Sequence, residues 1–270
     1  MLEKYIILCL ATRFCFIGGN TQPAVVTGLG AHSVHHQDVF SFSLNPASLG
    51  QVSTGMAGLY TERKYGVPGL NELGIRAAIP SHSGSFGGVL HYSGSTAYHT
   101  MQAGFGYGRK LGSYIDIGLQ LNFHNTAIAG YGKKNSASFE VGAIFHFTQK
   151  LHSGLYIKDP VAIDFSREDE EKIPARFGFG LGFDASKKCL VSVVIEKEQG
   201  QPINIIAGFQ YWFLQKLLAR AGISSATSQA WIGFGFQWVR LRLDIITAYH
   251  PYLGWSPGCM IMFGFKKDKN

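Results

Sequence analysis

The sequence predicts an all-β chain: a transmembrane antiparallel up-and-down β-barrel of about 14 strands, preceded by a short N-terminal plug or hatch segment. Three observations carry this prediction. First, apolar and polar residues alternate with period two over long runs. In residues 114–124, Ile115, Ile117, Leu119, Leu121 and Phe123 share one face, and Asp116, Gly118, Gln120, Asn122 and His124 share the other. Residues 137–147 repeat the pattern, with Phe139, Val141, Ala143, Phe145 and Phe147 opposite Ser138, Glu140, Gly142 and His146. Side chains alternate faces along a strand, and about ten residues at the usual tilt cross a bilayer. Second, the links between such runs alternate between short turns and longer or turn-rich loops, as in outer-membrane barrels. Third, past the first residues no apolar run is long enough for a membrane helix.

The strands are expected to begin near Val52, Leu73, Phe86, Thr100, Tyr114, Ser136, Lys150, Pro174, Lys188, Ile203, Leu217, Gln229, Leu241 and Gly258. Around the first and third, Gly55, Gly58, Gly87 and Gly88 blur the alternation. Short links fall at residues 80–84, 110–113, 148–149, 185–187, 214–216 and 239–240, assigned to the periplasmic side. The outer links are 66–71, 94–97, 127–135, 159–173, 199–202, 225–228 and 251–257. A soluble sandwich or propeller is the competing fold. It would have to bury every apolar face, including Phe177, Phe179, Leu181 and Phe183 opposite Arg176, Gly178, Gly180, Gly182 and Asp184.

Lys4 and the apolar stretch 5–11, followed by Gly18 and Gly19, have the character of a secretory signal peptide. The expected organisation is a signal peptide at 1–19, a hatch at 20–50 and an outer-membrane barrel at 51–270. Cys9 and Cys15 would leave with the signal, and Cys189 and Cys259 fall on the apolar face of separate strands as small hydrophobes. The formal net charge is +7, but the basic residues are scattered and form no aromatic-basic stripe, which speaks against a nucleic-acid partner. Arg109, Lys110, Lys150, Lys187, Lys188, Lys216 and Arg240 sit at short turns, where they would face anionic headgroups or mark the inner rim. Tyr60, Tyr98, Tyr114, Trp231, Trp238, Tyr249, Tyr252 and Trp255 lie near strand ends, where aromatic belts are expected.

By parity the interior holds Arg76, Arg176, Arg220 and Arg242 with Asp116, Glu140, Glu196 and Asp244, together with His124, His146 and His250. Two signs in one lumen imply internal ion pairs or a solvated channel lining. About eight strands is the limit that side chains alone can fill, so something else, or water, occupies a bore of 14. The candidate is the glycine-rich segment ahead of the first strand. Its Gly28, Gly30, Ala31 and Asp38, followed by Asn45-Pro46-Ala47-Ser48-Leu49, resemble the N-terminal hatch of FadL-type outer-membrane barrels, in particular the PorV/PorQ branch. Lys158-Asp159-Pro160 and Ile173-Pro174-Ala175-Arg176 are similar to that branch as well. His35, His36 and Gln37 depart from it, since the family is commonly acidic there.

The resemblance implies gating roles for Asn45, Pro46, Ala47, Gly28, Gly30 and Asp38, and two possible functions. The first is a partner-binding or accessory component of a surface protein secretion machinery, as in PorV/PorQ-like type IX secretion. The alternative is a FadL-like channel for uptake of hydrophobic small molecules. Short outer links favour the first, because transporters of the second kind usually carry long ligand-collecting loops. Expected partners are outer-membrane lipid, lipopolysaccharide and other outer-membrane or surface-exported proteins. An apolar pocket is expected near Phe40, Phe42 and Leu44. No enzyme motif occurs, and no cofactor or metal is expected: His32, His35 and His36 lack a carboxylate or cysteine at ligand spacing, and Gly104, Gly106 and Gly108 lie within strand periodicity. Asp164, Glu168, Asp169, Glu170 and Glu171 form an acidic run best explained as a solvated loop.

Overall fold

The computed structural model describes residues 28–161, 163–164 and 173–265. The predicted signal peptide, with Cys9 and Cys15, and the acidic residues 168–171 lie outside the described residues. Fifteen strands are formed. They are β1 (Met56–Arg63), β2 (Asn71–Pro80), β3 (Ser85–Gly94), β4 (Tyr98–Leu111), β5 (Ile115–Ile128), β6 (Gly132–His146), β7 (Leu151–Lys158), β8 (Ile163–Asp164), β9 (Arg176–Ser186), β10 (Cys189–Glu198), β11 (Asn204–Phe213), β12 (Leu217–Ser224), β13 (Gln229–Trp238), β14 (Leu241–His250) and β15 (Gly254–Gly264).

All the pairings are antiparallel, and they join chain neighbours except for β6 with β8, β7 with β9 and β1 with β15. The β1–β15 ladder, from Met56↔Gly264 to Glu62↔Gly258, closes the sheet into a barrel of 14 wall strands. The two-residue β8 lies beside β6, pairing Ser136↔Asp164 and Ala137↔Ile163, beyond the point where β7 ends. Closure satisfies the ladder of every wall strand internally, which a segment in hydrocarbon requires.

Alternation becomes burial. On β9, Phe177, Phe179, Leu181 and Phe183 are exposed, while Gly178, Gly180, Gly182 and Asp184 are buried. Exposed Leu, Ile, Phe and Val side chains recur on the outer parity of β2, β5, β10, β13 and β14. A patch of that extent on a soluble monomer would be anomalous. Cys189 and Cys259 are free thiols on this outer parity.

All 14 expected wall strands are present, displaced at their starts by up to four residues. The expected outer loop at 127–135 is mostly strand, because β5 continues to Ile128 and β6 begins at Gly132, leaving a three-residue turn. Likewise β15 begins at Gly254, inside the loop expected at 251–257. Of the aromatic residues assigned to headgroup belts, Trp238 is 70% exposed and Tyr114 is 72% exposed, but Tyr60 and Trp231 are at 3% and 4%. These two share the inward parity with Gly58 and with Gly233, so strand-end position alone misplaced them.

Phe234 sits at the centre of β13, 62% exposed and paired across to Ile245 and Ala219. A charge at mid-wall costs about 2–4 kcal/mol on a lipid-facing position. Phe234→Lys is therefore expected to lower folding stability by that amount in urea titrations in lipid vesicles, while Phe234→Leu stays within about 1 kcal/mol of wild type.

Candidate functional site: the lumen and its inner segment

Residues 28–51 run inside the barrel as three short 3₁₀ turns, Leu29–His32, Ser41–Ser43 and Pro46–Gln51, and nearly all of their side chains are buried. The wall admits this segment because inward positions are so often glycine, which lets another backbone approach closely. A Cβ at Gly154, Gly180 or Gly182 would overlap His32, and one at Gly118 or Gly142 would overlap Pro46 or Asn45. The glycines that blur β1 and β3 are also seats: a Cβ at Gly58 would meet the Phe40 ring at 2.8 Å, and one at Gly87 would meet Leu49 at 3.0 Å.

Asn45 caps the last turn by accepting from the Ala47 N–H at 3.0 Å, and its Nδ2 donates to the Ala143 and Leu155 carbonyls at 3.3 Å each. Pro46 is preorganised at the first position of the turn, and Ala47 is fully buried. Gly28 starts the first turn by accepting from the Ala31 N–H at 2.9 Å. Gly30 lies so close to the His36 carbonyl that no side chain fits. Phe40, Phe42 and Leu44 are packed into two apolar clusters, so the expected pocket there is filled core.

The eight polar residues assigned to the interior are all there, but they form separate clusters rather than one network. In the first, the Arg242 guanidinium meets Asp244 at 2.6 Å and Asp38 of the inner segment at 3.4 Å, while Arg220 meets the same two carboxylates at 3.0 and 3.8 Å. In the second, Ser43 is gripped from two sides of the wall: Arg76 Nε donates to its Oγ at 2.7 Å, and Lys158 Nζ donates to its carbonyl. Lys158 also approaches Glu140 at 3.5 Å, and Glu140 accepts from Asn122 at 2.7 Å. Tyr156 donates to Glu196, and Arg176 pairs with Glu198 at 2.8 Å. Asp116 belongs to a fourth cluster at the short-turn rim, with His146, His152 and Asp184.

The interior set named from parity left out several residues that hold the inner segment, although parity puts Asp184 on the polar face of its strand. Asp184 accepts from Ser33 Oγ at 2.6 Å and from the Val34 and His35 N–H groups at 3.1 and 3.4 Å. Parity along β7, where His152, Gly154, Tyr156 and Lys158 all face inward, would have found three more. The departure at His36 has a local cause. Its Nε2 lies 3.1 Å from the Ser186 carbonyl and its Nδ1 lies 3.2 Å from Gln210 Nε2, so a neutral ring with Nε2–H satisfies both, and the nearby carboxylate comes from the wall as Asp184. His32, His35 and His36 do not converge: His32 is on the β7–β9 glycines, His36 is on Ser186, and His35 is exposed.

No family model matches the sequence, and no curated protein matches it. Solved structures do match the fold. The monoaromatic hydrocarbon channel CymD superposes with a TM-score of 0.70 at 13% identity, over 91% of this chain and 98% of its own. The P. putida toluene transporter TodX gives 0.64 at 11% identity, over 89% and 99%. A Pseudomonas aeruginosa FadL homologue gives 0.61 at 10% identity, over 89% and 96%. At such identities the likeness concerns architecture: this is an integral outer-membrane β-barrel with the FadL-type fold.

These relatives are channels, and they overturn the expectation of a secretion accessory. That expectation leaned on short outer links. The links are short in the structure as well, at 95–97, 129–131, 199–203, 225–228 and 251–253, so short outer links do not set this barrel apart from the channel fold.

Two predictions follow from the packing. Asn45→Ala leaves the Ala143 and Leu155 carbonyls without their donor and is expected to weaken docking of the inner segment by about 1–3 kcal/mol, measured as faster proteolysis of residues 28–51 in an otherwise intact barrel. The second concerns pH. Burial raises Asp38 to about 6 despite the opposing Arg242 charge, and burial, with repulsion from His152, lowers His32 to about 4. Asp38 supports docking fully below its free value of 3.8 and loses that support as pH rises through about 6. His32 supports docking fully above 6.5 and loses that support as pH falls through about 4. The slopes oppose between these limits. Asp38→Asn should therefore make protease protection of the segment fall on acidification from pH 6.5 to 4, where wild type changes less.

Proposed function

We propose that the protein is an outer-membrane channel for uptake of hydrophobic small molecules, with residues 28–51 as its hatch. The observation that carries this is the fold shared with hydrocarbon channels, combined with the apolar share of the inner wall. A water-filled porin lumen is polar. Here Tyr156, Val194 and Ile206 form a buried apolar cluster with Ala31 and Leu44 of the hatch, and Tyr60, Trp231 and Met260 belong to another with Phe40. A solute without hydrogen-bonding groups would gain by contact with such surfaces rather than with bulk water.

In this reading Asn45, Pro46, Ala47, Gly28, Gly30 and Asp38 keep the hatch seated, and the ion clusters at Arg76 and Arg242 are the contacts that must rearrange. The PorV/PorQ likeness of the hatch motif remains a proposal about the lineage of that segment. Lipid and lipopolysaccharide are the proposed surroundings of the barrel.

Vesicles reconstituted with the purified barrel test the function. Uptake of a radiolabelled monoaromatic hydrocarbon should exceed that of vesicles holding an unrelated barrel, and Asn45→Ala should change the rate. Equal uptake in both preparations, with free passage of sugars instead, would show a general porin.

A further inference from the structure

The rim of short turns carries positive charge that nothing nearby answers. Lys110, Lys150, Lys187 with Lys188, Lys216 and Arg240 stand at successive short links between wall strands, and all are exposed. Backbone hydrogen bonds knit these links side by side around the barrel. The Asp184 N–H donates to the Lys150 carbonyl at 2.7 Å, and the Trp212 N–H donates to that of Lys188 at 2.8 Å. The Gln237 N–H donates to the Lys216 carbonyl at 2.7 Å, and the Gly264 N–H to that of Arg240 at 2.9 Å. Cations scattered in the sequence thus form one arc in space. No Asp or Glu occupies a short link, and the strand carboxylates at this end, Asp116, Asp184 and Asp244, are each 1% exposed. Among the described residues the cationic side chains of the arc make no ion pair or hydrogen bond. At the opposite rim cations are paired: Lys64 lies 2.6 Å from Glu72, and Arg176 lies 2.8 Å from Glu198.

The backbone of the turns gives a second, independent observation. Leu214, Gln215 and Val239 have φ of 47°, 61° and 53°. Glycine and asparagine take such positions readily, whereas a β-branched residue there is strained. Leu214 and Val239 are nevertheless 83% and 84% exposed, so packing within the barrel does not offset the strain. Both lead within a few residues into Leu217 and Leu241 of the lipid-facing wall, and Trp238 stands beside Val239. Apolar tips, an aromatic ring with a polar handle and cations one or two residues away suit a leaflet boundary. There the apolar groups sit below the headgroups and the charges reach phosphate level.

We propose that this arc is a binding surface for anionic phospholipid headgroups, with Leu214 and Val239 inserted beneath them. The partner is a phosphodiester lipid of net negative charge, of the phosphatidylglycerol class. A zwitterionic lipid brings its own cation to the phosphate and is bound less well. The proposal stands whatever the lumen transports.

Spin-labelled lipids test it on the full-length barrel in phosphatidylcholine vesicles. Labelled phosphatidylglycerol should associate about fivefold or more above labelled phosphatidylcholine, because each Lys or Arg near an anionic headgroup contributes about fivefold. High salt should shrink that ratio. Lys187→Gln, Lys188→Gln, Lys216→Gln and Arg240→Gln together should lower it at least about threefold. Arg63→Gln with Lys197→Gln at the opposite rim should leave it unchanged. A ratio near one in wild type, as a soluble acidic partner would give, overturns the proposal. So does a ratio that survives the four substitutions in a heat-modifiable, intact barrel, or one that falls only with the opposite-rim pair. Insertion has its own readout: a nitroxide on Val239→Cys, with the other cysteines replaced by serine, should be relaxed more by dissolved oxygen than by a water-soluble nickel chelate. The reverse order would place the tip in water and overturn it.

Discussion

The whole structure follows from putting lipid on one side of every strand. Hydrocarbon offers no partner for a backbone N–H or C=O, so the sheet has to close on itself, and the β1–β15 ladder supplies that closure. Closing 14 strands leaves a bore that side chains cannot fill. The chain meets this by folding its own residues 28–51 into the lumen and by thinning the wall to glycine where that segment passes. Outside, selection is for apolar bulk; inside, it is for room.

Burying the hatch brings charge with it, and the distribution of charge shows how that cost is offset. Asp38 is answered by Arg220 and Arg242, Ser43 by Arg76 and Lys158, and the 33–35 turn by Asp184. Breaking one partner from such a group strands the other in a poorly solvated bore, which is far costlier than losing a surface pair. His32 and Gln37 are answered less well: among the described residues, both ring nitrogens of His32, which is 0% exposed, and Gln37 Nε2 make no hydrogen bond within the chain. Burial of such groups subtracts from what the polar grips contribute.

The wall was legible in the sequence because a period of two is a strong and local signal. Ile115 to Phe123 and Phe177 to Phe183 announce their faces without help from any other part of the chain. The placement of Arg76, Asp116, Glu140, Glu196, Arg220, Arg242 and Asp244 followed from the same parity, and all of them are buried. What escaped were partners set by three-dimensional closure. That Asp184 meets Ser33, or that His146 meets His152 and thereby Asp116, depends on register between strands, which no single run reveals. The glycines at 58 and 87 looked like noise in the alternation, yet they are seats for Phe40 and Leu49. The functional expectation failed for another reason: loop length was taken as a proxy for ligand capture, and a barrel with links as short as 95–97, 129–131 and 251–253 still has the fold of hydrocarbon channels.

The occupied bore is the claim on which the remaining account rests, and one labelling experiment addresses it directly. Leu49 is fully buried against Gly87, Gly106 and Gly108 of the wall. With Cys189 and Cys259 replaced by serine, Leu49→Cys in isolated outer membranes should resist a small water-soluble maleimide until the barrel is unfolded. A folded, heat-modifiable barrel in which that thiol reacts at once would place residues 28–51 elsewhere and contradict the account.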